Sequence, residues 1–270
     1  MASEQEVLFS VKDHVGTITI NRPEKRNALT TAVMEEMRRL LGVVKRDDDV
    51  KVLVITGSPG AFCSGSDVEK RLLPRMKEGH YTPLEETRAD LLEPAMLYLP
   101  TAFYDVGKPT IAAINGVAAG GGLSLALLCD FRIASDRARF IASWANVGLT
   151  PDIAATFTLP RIIGADRALK MFYGRETVDA SEAERIHLVT AVVPHDDLMK
   201  AVLDLATTIA SGPSVALELT REAVHRSLLS DLQSQLYFEN YAQGVCFMSQ
   251  DFQEGVKAFL EKRRPVYRGR

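Results

Sequence analysis

The sequence predicts an α/β core followed by a helical C-terminal region. Three observations lead there. Short β-prone runs alternate with amphipathic stretches through the first part of the chain, and Val52-Leu53-Val54-Ile55 is apolar on both faces. Beyond Ala165 the strand signal nearly disappears. Alternating strands and helices imply a sheet with right-handed crossovers. A strand apolar on both faces implies a parallel sheet covered on both sides.

The elements follow in order. Val7 to Val11 and Val15 to Ile20 are β-prone runs, with Asp13-His14 as the hairpin turn between them. Asn21 to Asn27 is a polar loop. Thr30 or Thr31 caps a helix to about Lys45, with Val33, Met37, Leu40, Leu41 and Val44 on one face. Lys51 to Thr56 is a buried strand. A second cycle runs from the strand Pro109 to Ile114 through Asn115 to Gly122 into an apolar helix, Leu123 to Leu128. Phe131 to Ala134 is another strand, and Leu188 to Val193 the last. Helical patterns then cover Leu198 to Ala210, Ser214 to Arg226, Leu232 to Met248 and Phe252 to Arg263. Residues 1–195 are accordingly assigned to the core and 196–270 to a helical oligomerisation region.

Composition narrows the function classes. Hydrophobic residues at 46% and charged residues at 25% suit a globular protein with a substantial core. A net charge of −3 without a long basic block speaks against bulk nucleic-acid binding. Cys63, Cys129 and Cys246 are too few and too scattered for a disulfide framework. The five histidines form no ligand pattern, so no metal is expected. Met1 to Ser10 lacks the layout of a signal peptide, and no apolar run approaches a membrane span. A cytoplasmic protein is expected.

Two glycine loops each follow a buried strand and precede a helix: Ala61 to Val68 and Asn115 to Gly122. Glycine lets the backbone approach a ligand closely, and the first amides of a helix lack intrahelical acceptors. Together with the helix dipole they favour an anion. Two converging amides would make an oxyanion hole, each donor contributing about 2.7–4 kcal/mol to a transition state. Taken singly, such loops also occur as plain tight turns. Gly120-Gly121-Gly122 has neither dinucleotide-binding nor phosphate-loop spacing.

Asn27-Ala28-Leu29, Phe62-Cys63-Ser64-Gly65-Ser66-Asp67, Ile114 to Gly122, Cys129-Asp130, Pro160-Arg161-Ile162-Ile163-Gly164 and Phe259-Leu260-Glu261-Lys262-Arg263 together resemble the crotonase, or enoyl-CoA hydratase/isomerase, superfamily. The resemblance runs in order over nearly the whole chain. It implies a crotonase-like fold of repeated β-β-α units and C-terminal helices that build homotrimers or dimers of trimers. It also implies an acyl-CoA substrate whose thioester oxygen is held by the backbone amides of Ser66 and Gly121. Serine stands where the family usually has alanine, which leaves the amide unchanged. Coenzyme A comes as part of the substrate, and no separate cofactor is implied. By the same resemblance, Arg22, Lys25 and Arg26 lie near the CoA phosphates. Phe259 and Lys262 reach the adenine end, in a neighbouring subunit. Ser64 and Asp67 complete the CoA-side set.

The chain departs from the family's hydratases. They use two glutamates, and the matching positions here are Ser124 and Trp144. Neither residue can activate water or deliver its proton as a carboxylate does. Asp152, in Gly148-Leu149-Thr150-Pro151-Asp152, matches the acid that family isomerases carry. A single base suffices to shift a double bond, so Asp152 is the expected acid/base. Its alternative role is to cap the following helix. Trp144 is a core aromatic or a wall of the acyl pocket. Trp144 followed eight residues later by Asp152 also resembles the 4-chlorobenzoyl-CoA dehalogenases, where the aspartate is a nucleophile and the tryptophan aids it. Against that branch, Ser66-Asp67 replaces an aromatic residue, and Leu84 to Pro100 holds no histidine, His80 being the nearest. A third reading is a non-catalytic acyl-CoA- or RNA-binding protein on the same fold. Arg71 to Leu99 is expected to shape the acyl pocket, with its Arg and Glu residues, Glu85 to Glu93 among them, on a solvated helix face. His187, where the family usually has glycine, is expected to be structural.

Overall fold

The computed structural model describes residues 5–78, 94–174 and 177–269. Strands β1 (Val7–Lys12) and β2 (Val15–Ile20) form the expected antiparallel hairpin. Asp13 and His14 turn it with φ of 50° and 64°, the left-handed pair that a two-residue hairpin turn requires. Helix α1 (Thr31–Arg46) follows, its N-cap Thr30 accepting the Val33 N–H at 3.1 Å. Its buried stripe adds Met34 to the five residues expected. α1 crosses over to β3 (Val52–Gly57), which pairs parallel with β2 and is buried throughout.

After β3 a π-helical turn, Val68–Leu72, leads into α2 (Leu73–Glu78). The chain is described again from α3 (Pro94–Asp105), which packs on α1. Then come β4 (Thr110–Ile114), β5 (Val117–Ala119), α4 (Gly121–Leu128), β6 (Phe131–Ser135) and β7 (Arg139–Ile141). They are followed by α5 (Ala155–Ile163), α6 (Ala165–Gly174), β8 (Thr177–Asp179), α7 (Ala180–Arg185) and β9 (Ala191–Val193). Two sheets result: a six-stranded one in the order β1-β2-β3-β4-β6-β9 and a three-stranded one in the order β5-β7-β8. Beyond the hairpin, neighbours in the larger sheet are parallel. β5, β7 and β8 are strands that the sequence reading left out. Each is three residues long, and β5 lies within what looked like one glycine loop. The last strand is also shorter than Leu188 to Val193, because His187 to Thr190 turn into it.

The large sheet is covered on both faces. Ile18, Ile20, Leu53, Ile55 and Ile114 pack toward α1, α3 and α4. Val15, Val52, Val54, Ile111 and Ile133 face the other way, onto Leu198, Val202, Ala206 and Ala210 of α8 (Leu198–Ala210). The core therefore does not end at residue 195. Without α8 one face of the sheet would be bare, at about 1.5–3 kcal/mol for each large side chain exposed. The core reaches residue 210, and α9 (Ser214–Ser227), α10 (Leu232–Phe247) and α11 (Gln250–Leu260) form the outer helical region. α11 starts two residues earlier than expected, where Ser249 caps it, and stops three residues earlier.

Candidate active site

The two glycine loops meet. Residues 63–67 are stitched on one side to Leu29, whose N–H donates to Gly65 O at 2.7 Å and whose carbonyl accepts the Asp67 N–H at 2.8 Å. On the other side they join β5: Cys63 N–H donates to Val117 O, and Ala119 N–H to Cys63 O, both at 2.9 Å. Gly65 (φ 93°) passes so close to the second loop that a Cβ there would lie 2.7 Å from Ala119 O and 3.5 Å from the Gly121 nitrogen. Gly120, at φ 48°, turns the chain into α4, with its N–H on Ile141 O at 2.9 Å. Among the described residues neither the Ser66 nor the Gly121 N–H donates to a backbone carbonyl.

The pairing of β5 with β7 brings Ser143 and the 3-10 turn Trp144–Val147 beside Gly120. Trp144 is 5% exposed and meets Phe172 edge-on at 6.0 Å between ring centroids. Its indole N–H donates to Asp152 Oδ1 at 2.8 Å. Asp152 is half-buried and is not the N-cap of a helix: that position of α5 is Ala154. Instead, the Asp152 carbonyl accepts the Ala155 N–H at 3.0 Å and the Ser124 hydroxyl at 2.9 Å. Ile153 and Ala154 take φ of 47° and 62°. A β-branched residue in the left-handed region is a marked outlier, of the kind that gathers at functional sites. Ile153 Cδ1 lies 3.3 Å from where a Gly121 Cβ would stand, and Leu29 Cδ1 3.2 Å. Asp152 and Trp144 thus stand next to the point where the two loops meet.

Residues 10–270 match the family model described as enoyl-CoA hydratase/isomerase. The chain belongs to that family. The short-chain-enoyl-CoA hydratase of Clostridium acetobutylicum is 34% identical over 263 residues, covering 96% of this chain and 95% of that protein. The 1,2-epoxyphenylacetyl-CoA isomerase of Escherichia coli is 33% identical, with 98% of each covered. The crystal structure of an enoyl-CoA hydratase/isomerase from Cupriavidus metallidurans CH34 matches with a TM-score of 0.88 at 31% identity. That match covers 100% of this chain and 98% of the other. The fold is the crotonase fold.

Within this hydratase/isomerase fold some expected CoA-side residues lie elsewhere than the sequence suggested. Arg22 is 3% exposed, its guanidinium bonded to Asp67 Oδ2 at 2.8 Å and Ala28 O at 2.6 Å, with Glu6 at 3.0 Å. Asp67, expected in the CoA-side set, is 4% exposed and also accepts the Lys70 N–H. Burial pushes the Asp67 carboxyl up, but the Lys70 N–H and the Arg22 charge outweigh it and hold the carboxyl below its usual range. Arg22 and Asp67 therefore hold the first loop in shape rather than face a ligand. Lys25 is exposed and paired with Glu69 at 2.8 Å, and Arg26 is exposed at φ 49°. Ser64 donates to the Lys25 carbonyl at 3.2 Å. Phe259, at the end of α11, is 83% exposed, and Lys262 follows at φ 54°.

Arg71 is a second correction. It does not lie on a solvated face but is 7% exposed, its Nη1 donating to the Ser66 hydroxyl at 2.7 Å and its Nη2 to Met96 Sδ at 3.2 Å. His80 and Glu85 to Glu93 lie outside the described residues. His187 adopts φ 63°, which accounts for glycine being usual there. The sequence reading missed both the Arg71–Ser66 contact and the Ser124–Asp152 link. The first had a signal in retrospect, since serine with arginine five residues later lets a helical turn close on the loop. The second had none.

Proposed function

We propose that this enzyme is an acyl-CoA isomerase that shifts a carbon–carbon double bond. The thioester oxygen would sit on the Ser66 and Gly121 N–H groups, and Asp152 would move the proton. The observation that carries this reading is the pair of N–H groups without backbone acceptors, beside a carboxylate held in place by Trp144. In a 3-enoyl thioester, Asp152 takes a proton from the carbon next to the thioester. The electron pair moves onto the thioester oxygen, and the two amides stabilise the resulting enolate. Asp152 then returns the proton two carbons along, leaving a 2-enoyl thioester.

Hydration is disfavoured although several relatives are named as hydratases, because the two glutamate positions hold Ser124 and Trp144. Both of their polar hydrogens point at Asp152. The isomerase reading is tested by turnover of 3-enoyl-CoA. It should fall at least about 100-fold in Asp152→Asn while the fold and thioester binding persist; unchanged turnover would overturn it.

The Trp144–Asp152 bond also favours a second reading, in which Asp152 attacks a halogenated aryl-CoA as nucleophile and Trp144 orients it. Chloride release from 4-chlorobenzoyl-CoA distinguishes the two. Assembly as a homotrimer or dimer of trimers is part of the same proposal. It is supported by the apolar side chains that α9 to α11 expose, including Leu232, Tyr237, Phe247 and Phe259. The exposed Lys25 and Arg26 remain suited to the CoA phosphates, and Phe259 and Lys262 to an adenine bound by a neighbouring subunit.

A further inference from the structure

Ser124 occupies the position of a hydratase's first glutamate, and its hydroxyl has been turned to another use. It is fully buried and donates at 2.9 Å to the main-chain carbonyl of Asp152, 28 residues along the chain. Its contact with the Gly120 carbonyl, one turn back on its own helix, is longer at 3.5 Å. The Asp152 carbonyl also takes the Ala155 N–H, while the Asp152 carboxylate takes the indole N–H of Trp144. Main chain and side chain of Asp152 are thus fixed from separate elements.

Ser124 lies one turn beyond Gly121 on α4, whose eight residues are all buried. The same turn of helix therefore presents the Gly121 N–H at its start and grips the Asp152 main chain at its end. Immediately after that grip come Ile153 and Ala154 in the left-handed region. Backbone of this kind persists only where its surroundings over-determine it. The Ser124 bond is one of the constraints that do so.

We propose that Ser124 is a positioning residue, setting the Asp152 carboxylate at a fixed distance from the thioester oxygen by tying residue 152 to α4. The proposal rests on the reading of Asp152 as the reacting carboxylate. It implies that losing the hydroxyl misplaces the base without weakening the hold on the thioester. A displacement of about 1 Å at a reacting group can cost on the order of 100-fold in rate.

The experiment compares Ser124→Ala, Ser124→Cys, Asp152→Asn and Asp152→Ala with the wild-type enzyme. Trp144 is the sole tryptophan, so its emission reports the indole–carboxylate bond without any substrate. Ser124→Ala should shift that emission toward the Asp152→Ala spectrum. On 3-enoyl-CoA or 4-chlorobenzoyl-CoA, whichever the wild type converts, it should lower kcat about 10- to 100-fold with KM within about twofold. Cysteine fills the hydroxyl's place but donates weakly, so it should recover little of the loss. Wild-type emission in Ser124→Ala, or full recovery with cysteine, would overturn the proposal and leave serine as a packing residue. Failure of the underlying reading looks different: Asp152→Asn would keep wild-type turnover while Ser124→Ala still shifted the emission.

Discussion

A methyl group on Gly122 would overlap the carbonyl oxygen and Cβ of Cys63, both on the strand-like segment that α4 packs against. On Gly121 the same group would meet only the ends of the Leu29 and Ile153 side chains, at 3.2 and 3.3 Å. Gly122→Ala should therefore lower stability by about 3 kcal/mol or more, the upper end for overpacking, and Gly121→Ala by much less. Urea denaturation of the two variants checks the ranking. The Arg22–Asp67 pair makes a pH prediction. A carboxyl held below its usual value stabilises the fold above about pH 4, and that stability is lost as pH falls through its folded pKa. Replacing Arg22 by methionine leaves a buried carboxylate without its cation. It should cost about 3 kcal/mol and move acid unfolding to higher pH, read by circular dichroism across a titration. Arg22 was expected near the CoA phosphates because the family resemblance places its loop there. Its burial depends on Asp67, 45 residues away, and spacing along the chain cannot convey that.

Among the elements, α9 is joined to the core by a charged knot rather than by an apolar face. Arg221 donates to Asp130 Oδ2 at 2.7 Å and to the carbonyls of Phe103 and Tyr104 at the end of α3. His225, one turn on, reaches Asp130 Oδ1 at 2.9 Å and stacks edge-on against Tyr104. Burial pushes the Asp130 carboxyl up, but His225, Arg221 and the Thr110 N–H hold it below its usual range. Asp130→Asn would leave Arg221 buried without its anion and should cost about 3–5 kcal/mol. Hydrogen exchange should rise first in α9 and the end of α3. Where elements are long and periodic the sequence was enough to find them: α1, β3, β4, α8 and α9 stand where the pattern put them. β5, β7 and β8 escaped because a three-residue strand has no periodicity to detect and is made by its partners, here one another. The start of α11 was displaced because Ser249 caps it, while Asp251, the cap that a start at residue 252 would use, accepts the Arg268 and Gly269 N–H groups instead.

For the whole molecule, the outer helices carry the clearest consequence. α10 has no buried residue, and with α11 it exposes Leu232, Leu236, Tyr237, Tyr241, Phe247, Val256, Phe259 and Leu260. Apolar surface of this extent is typical of association surfaces and agrees with the trimeric assembly proposed above. Light scattering should give a mass of three or six times 29.7 kDa, and charged substitutions at Leu232 and Tyr237 together should reduce it. Among the described residues, no helix is long and apolar enough to cross a membrane. The Asp130–Arg221 pair spans 91 residues, and this bears on synthesis as well as on the finished fold. While the nascent chain emerges from the ribosome, β4 and β6 can pair long before the cation that neutralises Asp130 has been made. An interrupted chain lacking α9 would leave Asp130 to Thr110 and water, and the carbonyls of Phe103 and Tyr104 at the end of α3 without the cation that ties them to β6.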